Sequence, residues 1–195
     1  MNLAAATLEN RWVRLEPLVD GLRQALAEAL DCDPEAWDIM ATAAHGPHFG
    51  RWWQAAQDGM AAGDRIAWAV RDLRSGRVVG TTSLLNIVRP DRRCELGSTF
   101  YRPEARGGAI NPASKHLVFG HAFASGAARV ELVTDALNAR SRAAILKLGA
   151  KAEGVLRRHK VTWTGRTRDT AVFSVLAGEW PAVSADLEAR LAGFA

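Results

Sequence analysis

Two stretches of this 195-residue chain place side by side residue types that chemistry can use. The first is Glu95-Leu96-Gly97, followed by Tyr101-Arg102-Pro103-Glu104-Ala105-Arg106-Gly107-Gly108-Ala109-Ile110-Asn111-Pro112. A strand runs into a loop with two adjacent glycines, and the loop opens directly onto a helix. Backbone N–H groups in such a loop, with the unpaired N–H groups of a first helical turn, form a site for phosphate. Glycine lets the backbone approach the anion with no Cβ in the way. A purely structural turn has the same signature, so this stretch alone leaves both readings open. The second is Asp135-Ala136-Leu137-Asn138-Ala139-Arg140-Ser141, ending in Lys147-Leu148-Gly149-Ala150. On a helix, positions 138, 141, 145 and 148 share one face. Asn138 and Ser141 therefore point inward with Ile145 and Leu148 and need polar partners there. The plainest partners are local: Asn138 capping the helix, and Ser141 bonding back to the Leu137 carbonyl.

The composition sets the outer limits. Hydrophobic residues make up 48% and charged residues 24%, the balance of a soluble globular protein rather than a disordered chain. The formal charge of +4 comes from 25 basic against 21 acidic residues, and only Lys115, Lys147, Lys151 and Lys160 are lysines. Arginine suits planar anions such as phosphates and carboxylates. An excess of four charges spread along the chain is too small to argue for nucleic acid, so an anionic small ligand is expected. The two cysteines, Cys32 and Cys94, have no Cys or His at metal spacing and cannot build a disulfide framework. No apolar run reaches the ~20 residues of a membrane helix, and the start lacks a signal-peptide pattern. A cytoplasmic protein with no metal is expected.

The frame that must hold these residues reads as one domain over 1–195, since no repeat or linker interrupts the chain. Arg11 to Leu15 is a strand. Asp20 can cap a helix through Leu22, Ala25, Leu26, Ala29 and Leu30, and a Trp-rich helical region runs to about Ala62. Ile66, Trp68 and Val70 alternate as in a strand, the 72–76 turn follows, and Val78 to Ile87 returns as its partner. Arg93 to Tyr101 is a further strand. Asn111 and Pro112 look like a cap and a first helical residue. Then come a helix to Gly126, a strand over 129–134, a helix from Asn138 to Leu148 stopped by Gly149, two strands between Val155 and Leu176, and a helix from Pro181 to Leu191. The fold class is α/β (α+β): a mixed sheet of about seven strands with helices on both faces, and a ligand site at the carboxyl ends of the strands that lead into helices.

Taken together, the loop from Arg106 to Asn111 and the run from Asn138 through Ser141 to Lys147-Leu148-Gly149 resemble the GNAT superfamily of acetyl-CoA-dependent N-acetyltransferases. Arg14-Leu15-Glu16-Pro17-Leu18, Glu95-Leu96-Gly97, Glu153-Gly154-Val155-Leu156-Arg157 and Arg168-Asp169 look like the branch that contains the ribosomal-protein N-terminal acetyltransferases. The resemblance implies a GNAT fold and direct attack of an amine on the thioester of acetyl-CoA. It implies Glu95 as base and Ser141 as proton donor to the departing thiolate. The family's usual tyrosine falls on Ile145, and the only tyrosine, Tyr101, is elsewhere. By the same resemblance acetyl-CoA is held by Thr99, Phe100, Tyr101, Arg106, Gly107, Gly108, Ala109, Ile110, Asn111, Asn138 and Lys147. Backbone N–H groups near Gly97 to Thr99 would face the carbonyl oxygen as it gains charge. Ala109 and Asn111 stand where the family usually has glycine, and a methyl at 109 is expected to narrow the cradle.

The acceptor implied by the branch is a protein N-terminal α-amine. With a pKa of about 8, such an amine is largely neutral near pH 7.5, whereas a lysine at about 10.4 is not; the difference is roughly 3 kcal/mol, which favours low-pKa amines where base machinery is weak. A small amine (antibiotic, polyamine or aminoacyl compound) and a non-catalytic acyl-CoA-binding module are the rival readings. Glu95 could instead simply pair with Arg93. The five histidines show no metal spacing, while Trp52, Trp53 and Trp163 are core residues by default that could still line an acceptor site. The basic run Arg157-Arg158-His159 reads as a solvated face or as a contact for an acidic acceptor. A monomer or a homodimer is implied, with no nucleic-acid or membrane partner.

Overall fold

A computed structural model describes residues 1–194. Eight strands form one sheet: β1 (Leu8–Glu9), β2 (Val13–Pro17), β3 (Ile66–Asp72), β4 (Val78–Val88), β5 (Arg93–Tyr101), β6 (Arg129–Asp135), β7 (Lys151–Val161) and β8 (Thr167–Leu176). They lie in the order β1-β2-β3-β4-β5-β6-β8-β7. Every neighbouring pair is antiparallel except β5 and β6. The expected mixed sheet is present with one strand more than expected, the two-residue β1.

Both faces are covered, because residues of both parities in the middle strands are apolar. Leu26, Ala29 and Leu30 of helix α1 (Arg23–Leu30) and Trp52, Trp53 and Ala56 of helix α2 (Phe49–Ala62) pack on Ala67, Ala69, Val78 and Phe100. On the opposite face, Val118, Phe119 and Ala122 of α3 (Ile110–Ala124), Ile145 of α4 (Ala139–Leu146) and Leu187 of α5 (Trp180–Ala192) meet Leu15, Trp68, Val70, Leu96, Val130 and Phe173. Each such fully buried side chain contributes on the order of 1.5–3 kcal/mol.

Helix starts differ from expectation in two places. Asp20 opens a short 3₁₀ turn, Asp20–Leu22, and α1 begins at Arg23 with no side-chain cap. Helix α3 begins at Ile110 with Ala109 as its first flanking residue, so Asn111 is not the cap and Pro112 lies inside the first turn. Pro112 is still harmless there, because N–H groups of a first turn have no intrahelical partner.

Two irregularities shape the site. The parallel ladder between β5 and β6 has three rungs, Arg93↔Arg129, Cys94↔Val130 and Glu95↔Glu131, after which the strands part. At the same level β5 bulges: its pairing with β4 passes from Ser83↔Gly97 to Thr81↔Phe100, one residue more on β5 than on β4, and Ser98 takes a left-handed φ of +46°. A bulge bends its strand and leaves a residue unpaired. At the far end, β7 is the outermost strand and almost all of its residues are exposed.

Candidate active site

The parting strands make a wedge at their carboxyl ends, flanked by the N-terminal ends of α3 and α4. The N–H groups of Gly107, Gly108, Ala109, Ile110 and Asn111 donate to no backbone carbonyl. Gly107 has φ +80°, and a side-chain carbon added at Gly107 or Gly108 would meet nothing within 4 Å. The loop is thus open and rich in free donors at the positive end of a 15-residue helix, a setting that suits a pyrophosphate. Ala109 is 8% exposed, and its methyl belongs to the apolar core rather than to the loop mouth; the expected narrowing does not occur. The Arg106 guanidinium is turned away from the loop mouth: Nε donates to the Tyr101 carbonyl (2.8 Å), Nη1 meets Asp33 (2.5 Å), and the group lies over the Phe100 ring.

Of the other expected ligand-holding residues, three have side chains committed inward. Phe100 stacks on Trp37 with centroids 4.6 Å apart. The Tyr101 hydroxyl is buried without a partner, and burial pushes its pKa up. Thr99 shares a hydrogen-bond cluster with Thr82 (2.9 Å) and Lys115 Nζ (2.6 Å). Lys115 lies on α3, has no carboxylate partner among the described residues, and is brought down to about 7 by burial. Sequence reasoning passed it over because its helix spacing is that of a core position; a lysine there was the available signal.

Glu95 is only 9% exposed. Its Oε2 accepts from Asn86 Nδ2 (2.8 Å), so the carboxylate is held in place, and Asn86 itself is at φ +49°. Arg93 pairs with Asp91 instead, so the alternative Glu95–Arg93 pair is not formed. The carboxylate lies directly against Gly97, where an added Cβ would come 3.0 Å from Oε1. Ser98, at the bulge, follows. Arg65 closes this side: Nη2 donates to Ser83 (3.1 Å) and Ser98 (3.3 Å), the guanidinium lies over Trp52, and Nε is buried without a partner. Burial brings Arg65 down to about 10.

Asn138 caps α4, its Oδ1 accepting from the Ser141 N–H (2.9 Å). Ser141 is half-buried and its hydroxyl makes no hydrogen bond to a described residue; the expected bond to the Leu137 carbonyl is absent, which leaves the hydroxyl available. Lys147 is exposed just beyond α4. Asp135, at the end of β6, binds Arg166 and the Leu137 N–H; these contacts outweigh the opposing effect of burial and hold its carboxyl below the usual value. Arg168 and Thr170 on β8 alternate with the core residues Ala171, Phe173 and Val175 and so face the α1/α2 side, as do Glu95 and Asp135. The charges of Asp135 and Glu95 act on Arg168, while burial lowers its pKa. Over this face the tip of the β7–β8 hairpin folds back. Trp163 donates from its backbone N–H to Ala41 O (3.1 Å) and from Nε1 to Trp37 O (2.9 Å), and its ring packs on His45 and His48. Trp52 and Trp53 are core residues of α2. No group of three or more His, Cys, Asp or Glu side chains suited to a metal occurs among the described residues.

Known proteins share this fold. A structure of a GCN5-related N-acetyltransferase from Brucella melitensis is 31% identical and superposes with TM-score 0.86, covering 99% of this chain and 88% of that one. The Mycobacterium smegmatis RimJ structure, a complex with CoA-disulfide, is 21% identical with TM-score 0.79 over 95% of this chain and 93% of that one, a likeness of fold. In sequence, the uncharacterized N-acetyltransferase YoaA of Bacillus subtilis (strain 168) is 30% identical over 112 residues; the match spans 57% of this chain and 62% of YoaA. The family model described as acetyltransferase (GNAT) domain matches residues 13–151, from β2 to the first residue of β7, and the chain belongs to that family.

Proposed function

We propose that this protein is an acetyl-CoA-dependent N-acetyltransferase working in the cytoplasm, with a protein N-terminal α-amine as the acceptor class. The observation that carries the reading is the coincidence, at one level of the sheet, of the parted β5 and β6, the bulge at Ser98 and the carboxylate of Glu95 lying against Gly97.

Acetyl-CoA, when bound, supplies an acetyl group activated as a thioester. The N–H groups of residues 107–111 and the positive end of α3 hold its pyrophosphate. The edge of β5 that β6 abandons beyond Glu95 offers backbone hydrogen bonds inside the wedge, and N–H groups at Gly97 to Thr99 stabilise negative charge on the carbonyl oxygen. Glu95, fixed by Asn86, takes the proton of the amine, directly or through water. The Ser141 hydroxyl donates a hydrogen bond to the sulfur as it leaves. An idle binding module loses one of its two motives, since the Ala109 methyl is in the core, and keeps the other, Ile145 in the place of the family's tyrosine.

The test follows free thiol release from acetyl-CoA against N-terminal peptides and small amines, repeated with Ser141→Ala and Glu95→Gln. Turnover of peptides, weakened in both variants, is expected. Turnover restricted to small amines would remove the N-terminal acceptor, and thermal stabilisation by acetyl-CoA with no turnover of any amine would remove the enzyme.

A further inference from the structure

Strand β8 carries hydrogen-bonding capacity that the protein does not use. Arg168 is 5% exposed and Thr170 fully buried, yet Nε and Nη2 of Arg168 and Oγ1 of Thr170 have no partner. A buried cation without an acceptor is costly, and native interiors rarely keep one. The two nearest carboxylates do not satisfy it: Asp135 is taken by Arg166 and the Leu137 N–H, and Glu95 by Asn86. Nε and Nη2 are the side-on edge of the guanidinium, two parallel N–H groups whose spacing matches the two oxygens of a carboxylate. That edge is buried on the same face of the sheet as Glu95, under the hairpin tip anchored by Trp163.

We propose that the acceptor carries a carboxylate as well as its amine: the amine is received by Glu95, and the carboxylate sits on the Nε/Nη2 edge of Arg168 with the Thr170 hydroxyl as a third donor. This rests on the reading of Glu95 as the residue that faces the amine. Arg65, whose Nε is likewise unpartnered and whose Nη2 donates to Ser98, adds a second positive charge beside the β5 bulge. The acceptor class narrows to amino acids, or to N-termini with an acidic residue close behind the α-amine.

Matched pairs test this: peptides with Asp or Asn at the second position, free amino acids or their amides, and phosphoethanolamine or ethanolamine. Acid members are expected to exceed their neutral partners in kcat/KM by about tenfold or more, the strength of a charge-assisted hydrogen bond, and mostly through KM. Arg168→Gln is expected to bring the members of each pair within about threefold, Arg168→Lys to restore part of the gap because it lacks the fork, and Thr170→Val to lose less. A binding readout needs no turnover: with CoA present, an N-acetyl amino acid should raise the wild-type Tm and its amide should not. Arg168→Met should keep or raise the ligand-free Tm, showing that it folds, while losing the carboxylate-dependent shift. Equal use of acid and neutral members, a preference that survives in Arg168→Gln, or preference for the phosphate member alone would each overturn the proposal. Peptides acetylated whatever their second residue would sink it and leave the N-terminal reading standing. Amino acids acetylated while peptides are refused would do the reverse.

Discussion

A carboxylate resting 3.0 Å from where a Cβ would stand at Gly97 makes any larger residue there a tight fit. Gly97→Ala requires the Glu95 carboxylate, held through its other oxygen by Asn86, to give way slightly. Misplacing a catalytic group by about 1 Å costs on the order of 10²-fold, so this smaller displacement should lower kcat by less than that factor while the Kd for acetyl-CoA, on the proposal that the loop at 107–111 holds it, changes little. Equilibrium binding beside steady-state kinetics checks the split, and an unchanged kcat would detach Glu95 from the reaction. Lys115 has a different signature. It is brought down to about 7 in the folded protein from an ordinary 10.5, so between those values the unfolded chain binds more protons and stability rises with pH. The destabilisation it causes is complete below about 7 and gone above about 10.5. Lys115→Met should therefore be more stable than wild type near pH 7, with the difference shrinking toward pH 10; denaturant titrations at several pH values would reveal a flat difference if the lysine were charged in the fold.

Among the elements, those with strong periodicity were legible. Ile66, Trp68 and Val70, the helix expected from Asn111 to Gly126 and the Gly149 stop all correspond to the structure within a residue or two. The short β1 was not, because Leu8–Glu9 has no pattern of its own and exists only as a partner for Leu15 and Arg14. The caps of α1 and α3 were misread: Asp20 and Asn111 are good cap residues by type, but Asp20 sits in a 3₁₀ turn ahead of α1 and Asn111 lies inside α3. In the site, Glu95 was singled out by resemblance alone, whereas the Asn138 cap and the loop with two glycines ahead of α3 were readable from local sequence. Asn86, Arg65 and the roles of Arg168 and Thr170 were not, since each acquires meaning only from a strand or helix far away in the chain. Trp163 is similar. Its two hydrogen bonds to Trp37 and Ala41 tie the hairpin to the segment between α1 and α2. Trp163→Ala should speed hydrogen exchange at residues 162–166 and raise the acceptor KM several-fold, with acetyl-CoA affinity nearly unchanged. A loss on the order of 1 kcal/mol in stability follows from the lost Nε1 hydrogen bond to Trp37, since alanine keeps the backbone bond to Ala41. Equal effects on both substrates would mean the hairpin supports the whole site.

At the scale of the molecule, three parallel rungs join a five-stranded half, β1 to β5, to a three-stranded half, β6 to β8. A ligand lying in the wedge touches both halves and so completes the sheet. Acetyl-CoA at about 100 times its Kd should add about 2.7 kcal/mol of stability. Its protection against hydrogen exchange should centre on residues 96–99 and 107–111, and protection confined to the loop would mean the wedge stays empty.

The outermost strand has a further consequence, for handling the protein. β7 offers an unpaired edge and carries Lys151, Arg157, Arg158, His159 and Lys160 beside the exposed Val155 and Leu156. Cations along an edge keep copies apart only while their repulsion carries across the gap. At 1 M salt the screening length is about 3 Å, and the edge becomes a place where two copies can pair strand to strand. Solutions of this protein should therefore scatter more light as salt is added, the opposite of an assembly held by ion pairs, and Val155→Lys with Leu156→Glu should abolish the effect.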